Sequence, residues 1–162
     1  MATVRDAVAY LVAKYPHKDE LSKARVTKMV YLADWKAAID YGRQITDIKW
    51  KFHHFGPYVD DVYRAALDDP ALRVTQEVNV YGNLKERIEL ADPKTPVYLQ
   101  ESERLIFNHV INETKPLRWD GFIKLVYSTY PILSGMRGSS LDLVASAKTY
   151  RETGSALRFE HR

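Results

Sequence analysis

Residues 22–42 read SKARVTKMVYLADWKAAIDYG, and this stretch decides the fold. Ser22 is a helix-opening residue and Gly42 a helix-stopping one, so the spacing predicts one long helix between them. Val26, Met29, Val30, Ala33 and Ala37 fall on one face at helical spacing. Tyr31, Leu32, Trp35 and Ile39 fall on roughly the opposite face. A helix apolar on two sides is either central to a domain or buried on one side and open to a partner on the other. Periodicity leaves both readings open.

Upstream, Thr3 is placed to cap a helix over Val4–Lys14, with Asp6 three positions later in capping-box spacing. Pro16 ends it, and residues 17–20 read as a polar link. Downstream, residues 45–52 alternate loosely and are rich in β-branched and aromatic side chains, which predicts a short strand or extended segment. Gly56-Pro57 breaks it, and Pro57 is placed to begin a helix from Tyr58 to about Leu67, with Asp60 and Asp61 in its first turn.

Residues 73–91 carry a hairpin signal: Val74, Val78 and Val80 lead into Tyr81-Gly82-Asn83, and Leu84, Ile88 and Leu90 lead out. Beyond a linker at residues 92–96, a helix over about 99–114 places Leu105, Ile106, His109, Val110 and Glu113 near one side. Asp120 caps another helix through Tyr127, and Pro131, Gly135 and Gly138 mark a loop. Ser139 or Ser140 opens a last helix carrying Leu141, Val144, Ala145 and Tyr150. The expected fold class is mainly α (α+β). It is a single compact helical domain over 1–155, with one inserted β-hairpin, a short extended segment and a C-terminal tail at 156–162.

Composition narrows the function. With no cysteine there is no disulfide framework, no thiolate metal site and no Cys–His nucleophile pair. Residues 1–72 carry 11 basic and 10 acidic side chains within a net charge of only +3, so the footprint of a nucleic-acid binder is weak. The local run Lys14, Lys18, Lys23, Arg25 and Lys28, diluted by Asp19 and Glu20, reads as a solvated face. No apolar run approaches the ~20 residues of a membrane span, and the N-terminus reads as a helix start, not a secretion signal. A cytoplasmic location is therefore expected.

Catalytic motifs are missing: there is no Gly-rich phosphate loop, no HExxH and no G-x-S-x-G elbow. His53 and His54 are adjacent in an extended segment and point to opposite sides, so they do not grip one metal together. His109, on an apolar face, reads as a core histidine. The pairs Asp60-Asp61 and Asp68-Asp69 diverge on a helix and read as helix-terminal charges. No catalytic residue, metal or cofactor is expected. The aromatic content is more informative: Tyr31, Trp35, Trp50, Phe52, Phe55 and Tyr58 lie close in sequence, and such residues serve equally as core and as interface anchors.

One pattern reaches further. Lys28-Met29-Val30-Tyr31-Leu32-Ala33 is followed by Tyr41-Gly42-Arg43-Gln44-Ile45-Thr46, then by Trp50-Lys51-Phe52-His53-His54-Phe55-Gly56-Pro57-Tyr58. Near the C-terminus come Tyr127-Ser128-Thr129-Tyr130-Pro131, Leu141-Asp142-Leu143 and Tyr150. In this order the elements resemble the Panacea domain of SocA-like antitoxins. The resemblance implies an antitoxin that neutralises a toxin encoded beside it by direct protein–protein contact. The toxin folds in that family are unrelated and include translation-targeting ones. It also implies a possible host protease as partner, since the founding SocA type resembles a proteolytic adapter. A phage or prophage regulator acting on host machinery is the alternative. Carried over residue by residue, it singles out Lys28, Tyr31, Asp34, Gly56, Pro57 and Tyr58, with Tyr31 and Tyr58 reading equally as packing and as partner contacts, and Lys28 and Asp34 as partner contacts or a surface ion pair. Trp35 and Phe55, from the aromatic cluster, complete the expected partner contacts. Gly42, Gly56 and Pro57 are expected to be structural. A homo-oligomer, or a hetero-oligomer with the toxin, is compatible with this reading; a membrane partner is not expected.

Overall fold

The structure, a computed structural model, describes residues 1–160, with side chains up to Thr153. Its helices are α1 (Val4–Lys14), α2 (Lys23–Tyr41), α3 (Asp61–Asp68), α4 (Glu101–Thr114), α5 (Trp119–Tyr127), α6 (Tyr130–Ser134) and α7 (Leu143–Glu160). Its strands are β1 (Lys51–His53), β2 (Gly56–Tyr58), β3 (Leu72–Val78) and β4 (Leu84–Leu90), and a single 3₁₀ turn spans Lys18–Glu20. The mainly helical architecture with a small β component is the one expected.

Helix α2 is the central element. Ser22 Oγ accepts from the Arg25 amide at 3.1 Å and opens it. Gly42, at φ +70°, closes it by donating its amide to the Ala38 carbonyl. That left-handed conformation is why a glycine stands there. Both apolar faces of α2 are buried, because α1, α3, α4 and α7 pack around it. The two-sided pattern thus resolves to a core helix. Tyr31 stacks edge-on against Trp50 at 5.5 Å, and Trp35 against Tyr150 of α7 at 5.7 Å. Each such pair adds roughly 0.5–1.5 kcal/mol beyond area burial.

The β3–β4 hairpin pairs Leu72 with Leu90 and Val78 with Leu84 at its two ends. One face carries Leu72, Val74, Ile88 and Leu90 and is buried at its base. The other carries Arg73, Thr75, Glu77, Lys85, Arg87 and Glu89, laced by Arg73–Glu89 and Arg87–Glu77 contacts. The five-residue connection is organised by Asn79, whose side chain accepts from the Tyr81 and Asn83 amides.

Several expectations need correction. The extended segment does not run as a strand from Ile45: residues 45–50 wrap around Asp34, and only Lys51–His53 form β1, which folds back onto β2. Pro57 does not begin a helix. It sits within β2 opposite Phe52, whose own amide and carbonyl bond outward to Ser139 and Gly138. That position asks no ladder donor of Pro57, which is where a strand accepts proline. Helix α3 therefore starts at Asp61. Helix α4 buries Ile106, Phe107, Val110, Ile111 and Thr114, so Leu105 and His109 face solvent and His109 is no core residue. Pro131 lies in the first turn of α6, where a loop was expected. The last helix opens at Leu143, with Asp142 accepting from the Ala145 amide. The helix is drawn through Glu160, and the last two residues of the expected tail lie outside the described residues. The basic run is not one solvated face, since Arg25 and Lys28 are buried.

Candidate partner-binding site

The residues expected at a partner surface divide into a buried scaffold and an exposed turn. Lys28, Tyr31, Asp34 and Trp35 are all in the core. A partner docking on the surface does not meet them, because α5–α7 and residues 44–50 cover the faces of α2 on which they stand. Asp34 and Tyr31 hold Trp50, the residue before β1, while Trp35 packs against Tyr150 of α7.

Asp34 is the organiser. Its Oδ1 accepts from the amides of Ile45 and Thr46, both at 3.0 Å. Its Oδ2 accepts from Thr46 Oγ1 at 2.6 Å and Trp50 Nε1 at 2.9 Å, with Gln44 Nε2 at 3.3 Å. The chain from Gln44 to Trp50 is thereby moulded onto a fully buried carboxylate, and Trp50 is delivered against Tyr31. Burial pushes the Asp34 carboxyl up to about 6, against the pull of these hydrogen bonds. Lys28 and Asp34 make no ion pair: six residues apart on one helix, they point in different directions. Tyr31 shares a hydrogen bond of 2.8 Å with Thr129 Oγ1 at the α5–α6 junction.

Lys28 is unusual. Only 3% exposed, it has no hydrogen bond or ion pair to any described residue, and burial lowers its ammonium to about 8. Lys28→Met is therefore expected to stabilise the fold by about 1–2 kcal/mol at neutral pH, by replacing a largely desolvated ammonium with an apolar side chain. The native state binds fewer protons than the unfolded chain between about pH 8 and the ordinary lysine value of 10.5. Wild-type stability should thus rise with pH across that window and the variant's should not. Urea melts at a series of pH values measure this; a less stable Lys28→Met chain would show that the ammonium has a partner.

The exposed part is the turn between β1 and β2. His54 and Phe55 span it, and Gly56 at φ +98° completes it. Glycine is required twice here. The backbone is in a region other residues avoid, and a Cβ would lie 2.8 Å from Tyr127 Cε1. Gly56→Ala should cost about 2–4 kcal/mol from backbone strain plus displacement of the tyrosine ring. Removing the ring as well, in Gly56→Ala with Tyr127→Ala, should make the glycine change cheaper than it is alone. Equal denaturation midpoints for wild type and Gly56→Ala would refute the account. Phe55 is 80% exposed at the tip. Tyr58, half-buried, donates to Asp60 Oδ1 at 3.0 Å and meets the His53 ring at 5.6 Å. Burial, then Asp60, raises its hydroxyl to about 12.

A third segment joins this flank. The Gly138 amide donates to Phe52, Ser139 accepts from the Phe52 amide, and the Leu141 amide donates to Trp50. The turn at Met136–Ser139 therefore lies along the free edge of β1. Gly135 is packed so tightly there that a Cβ would stand 2.5 Å from the Pro131 carbonyl oxygen. Sequence reading took Gly135 and Gly138 as loop markers and missed that they bring Leu133 and Met136 to the same flank as Phe55. Among the described residues no group of three or more His, Cys, Asp or Glu is placed to hold a metal ion.

Residues 26–131, well over half of the chain, match the family described as Antitoxin SocA-like, Panacea domain. The chain belongs to that family. No curated protein and no solved structure matches it. The matched range includes the Lys28–Ala33 helix, the Asp34-bound loop and the Gly56-Pro57 turn, and it runs across the β3–β4 hairpin.

Proposed function

We propose that this chain is an antitoxin that neutralises a cognate toxin by direct protein–protein contact, without catalysis of its own. The observation that carries the reading is its membership of an antitoxin family over residues 26–131. The architecture agrees with it: a buried network holds a tight turn rigid and leaves a large aromatic side chain, Phe55, in solvent. Exposed aromatics on a rigid scaffold are efficient interface anchors, because little entropy is lost when they are covered. Phe55 and the half-buried Tyr58 form the contact, and Lys28, Tyr31, Asp34 and Trp35 support it from below. The toxin is the product of an adjacent reading frame, and the encounter takes place in the cytoplasm. Among the described residues no helix is long and apolar enough to cross a membrane.

The test is expression of the adjacent reading frame with and without this chain. The neighbour alone should arrest growth, co-expression should restore it, and the two proteins should co-purify. A neighbour that is harmless in every arrangement would overturn the reading.

A further inference from the structure

The flank that carries Phe55 is apolar and cationic together. Phe55, Leu133 and Met136 are 80%, 65% and 77% exposed, on two segments pinned together by the Phe52–Gly138 and Phe52–Ser139 hydrogen bonds. Exposed large apolar side chains scattered singly need no explanation, but Phe55 and Met136 each stand within three residues of these hydrogen bonds and Leu133 lies in α6 just before them, so the three are read together as one surface. The charge around them has one sign. Residues 48–58 and 132–141 contain no Asp or Glu, and Lys51, His54 and Arg137 are exposed there. Arg137 lies with its guanidinium carbon 5.7 Å from the Phe52 ring centre. Of the carboxylates flanking these stretches, Asp60 accepts from Tyr58 and Asp142 caps α7, while Asp47 is exposed and lies on the far side of Trp50 in sequence. In a chain whose overall charges nearly cancel, this separation is local. The β3–β4 hairpin differs, because its charged face is internally paired and carries both signs.

We infer that Phe55, Leu133 and Met136, ringed by Lys51, His54 and Arg137, form a docking surface for an acidic, apolar segment of a partner protein. The inference rests on reading the chain as a protein-binding module and adds the chemistry of what it binds. Apolar side chains of the partner cover the three anchors. Its carboxylates meet Lys51 and Arg137, which discriminate against basic or neutral segments more than they add affinity. A single-stranded nucleic acid would also satisfy the rim, but it would place bases over aliphatic Leu133 and Met136, where stacking gains little.

The experiment is selection of a random-peptide phage library on the full-length chain, followed by binding of the recovered peptides to variants. Wild type should enrich peptides rich in Asp or Glu interspersed with aromatic or aliphatic residues. Phe55→Ser with Met136→Ser should lose at least ~10-fold in affinity for them. Arg137→Glu should lose affinity mainly at low salt. Both chains should melt like wild type, since the altered side chains are exposed. No enrichment, or peptides whose binding survives both variants, would overturn the proposal. So would tighter binding of a fluorescein-labelled oligouridylate than of any peptide. A Phe55→Ser, Met136→Ser chain that still rescues growth from the toxic neighbour would overturn it too, while leaving the antitoxin reading intact. Conversely, acidic peptides that bind as described, with a harmless neighbour, would uphold this surface and remove the toxin.

Discussion

Asp34→Ala is expected to remove about 3–5 kcal/mol of stability, a large part of the roughly 5–15 kcal/mol that holds a domain of this kind together. The carboxylate answers the amides of Ile45 and Thr46, the Thr46 hydroxyl, the Trp50 indole and the Gln44 amide, all from one short stretch of chain. Truncation leaves donors buried without acceptors, and each such loss costs roughly 1–3 kcal/mol. It also frees Trp50, a fully buried tryptophan, from the anchor that turns it toward Tyr31. Thermal denaturation should show the midpoint falling by roughly 6–20 °C. Asp34→Asn retains one acceptor for the backbone amides but turns an NH₂ toward donors, so it should fall between alanine and wild type.

The same residue gives a pH signature. Its carboxyl is pushed up to about 6 in the fold, against the ordinary aspartate value of 3.8, so the native state holds the proton more tightly than the unfolded chain. Its contribution is fully present below pH 4 and is lost as pH rises through about 6. Wild type relative to Asp34→Asn should therefore lose stability between about pH 4 and 6 and stay level above it. A flat difference would mean that the five donors cancel the burial penalty. A midpoint for Asp34→Ala within a degree of wild type would remove Asp34 from its organising role altogether.

How much of this was legible in the sequence follows from the range of each interaction. Local signals were: the caps at Thr3 and Ser22, the stop at Gly42 and the hairpin between Leu72 and Leu90 depend on neighbours a few residues away, and they stand where the residues put them. The decision about α2 was not, because its two apolar faces are equally consistent with a core helix and an open one. What settles it lies about a hundred residues on, in Thr129 and Tyr150. Asp34 was misplaced for the same reason. A carboxylate on a helix reads as surface unless the partners that bury it are visible, and its partners belong to a loop whose shape exists only because of it. Pro57 illustrates the converse: proline before a helix is the common local reading, but the far edge of β1 is bonded to Gly138 and Ser139, which makes a strand position free of cost. Phe55 was found among clustered aromatics. Leu133 and Met136 carried no comparable mark, since only the packing of the Gly135 turn against Phe52 brings them alongside.

Arg25→Ala is the second change expected to be severe, at about 3–5 kcal/mol. Arg25 lies in the stretch of basic residues that reads as a solvated face, yet it is 2% exposed. Its Nη2 donates to Tyr15 Oη at 2.7 Å and to the carbonyls of Thr114 and Leu117, both at 2.9 Å. Those carbonyls belong to the last residue of α4, where the Leu117 amide also donates to Thr114, and to the turn beyond it, at the negative end of the helix dipole. The guanidinium carbon lies 4.4 Å from the Phe122 ring centre, so one side chain ties the start of α2 to the end of α4 and to α5. Glu20 balances the charge only at 4.0 Å, and Nε is buried without a partner, so this cation is held by carbonyls and rings more than by a counter-charge. Three substitutions separate the contributions. Alanine loses the hydrogen bonds and leaves a cavity. Methionine fills the space but orphans the Leu117 carbonyl and leaves the Thr114 carbonyl with the Leu117 amide alone, and should cost about 1–3 kcal/mol. Lysine keeps the charge but lacks the planar fork, and should recover little. Urea denaturation of the three, alongside the half-exposed Lys23→Ala as a reference, gives the ranking. If alanine at Arg25 costs no more than alanine at Lys23, the α4 terminus is satisfied by water and the tie between α2 and α4 lies elsewhere.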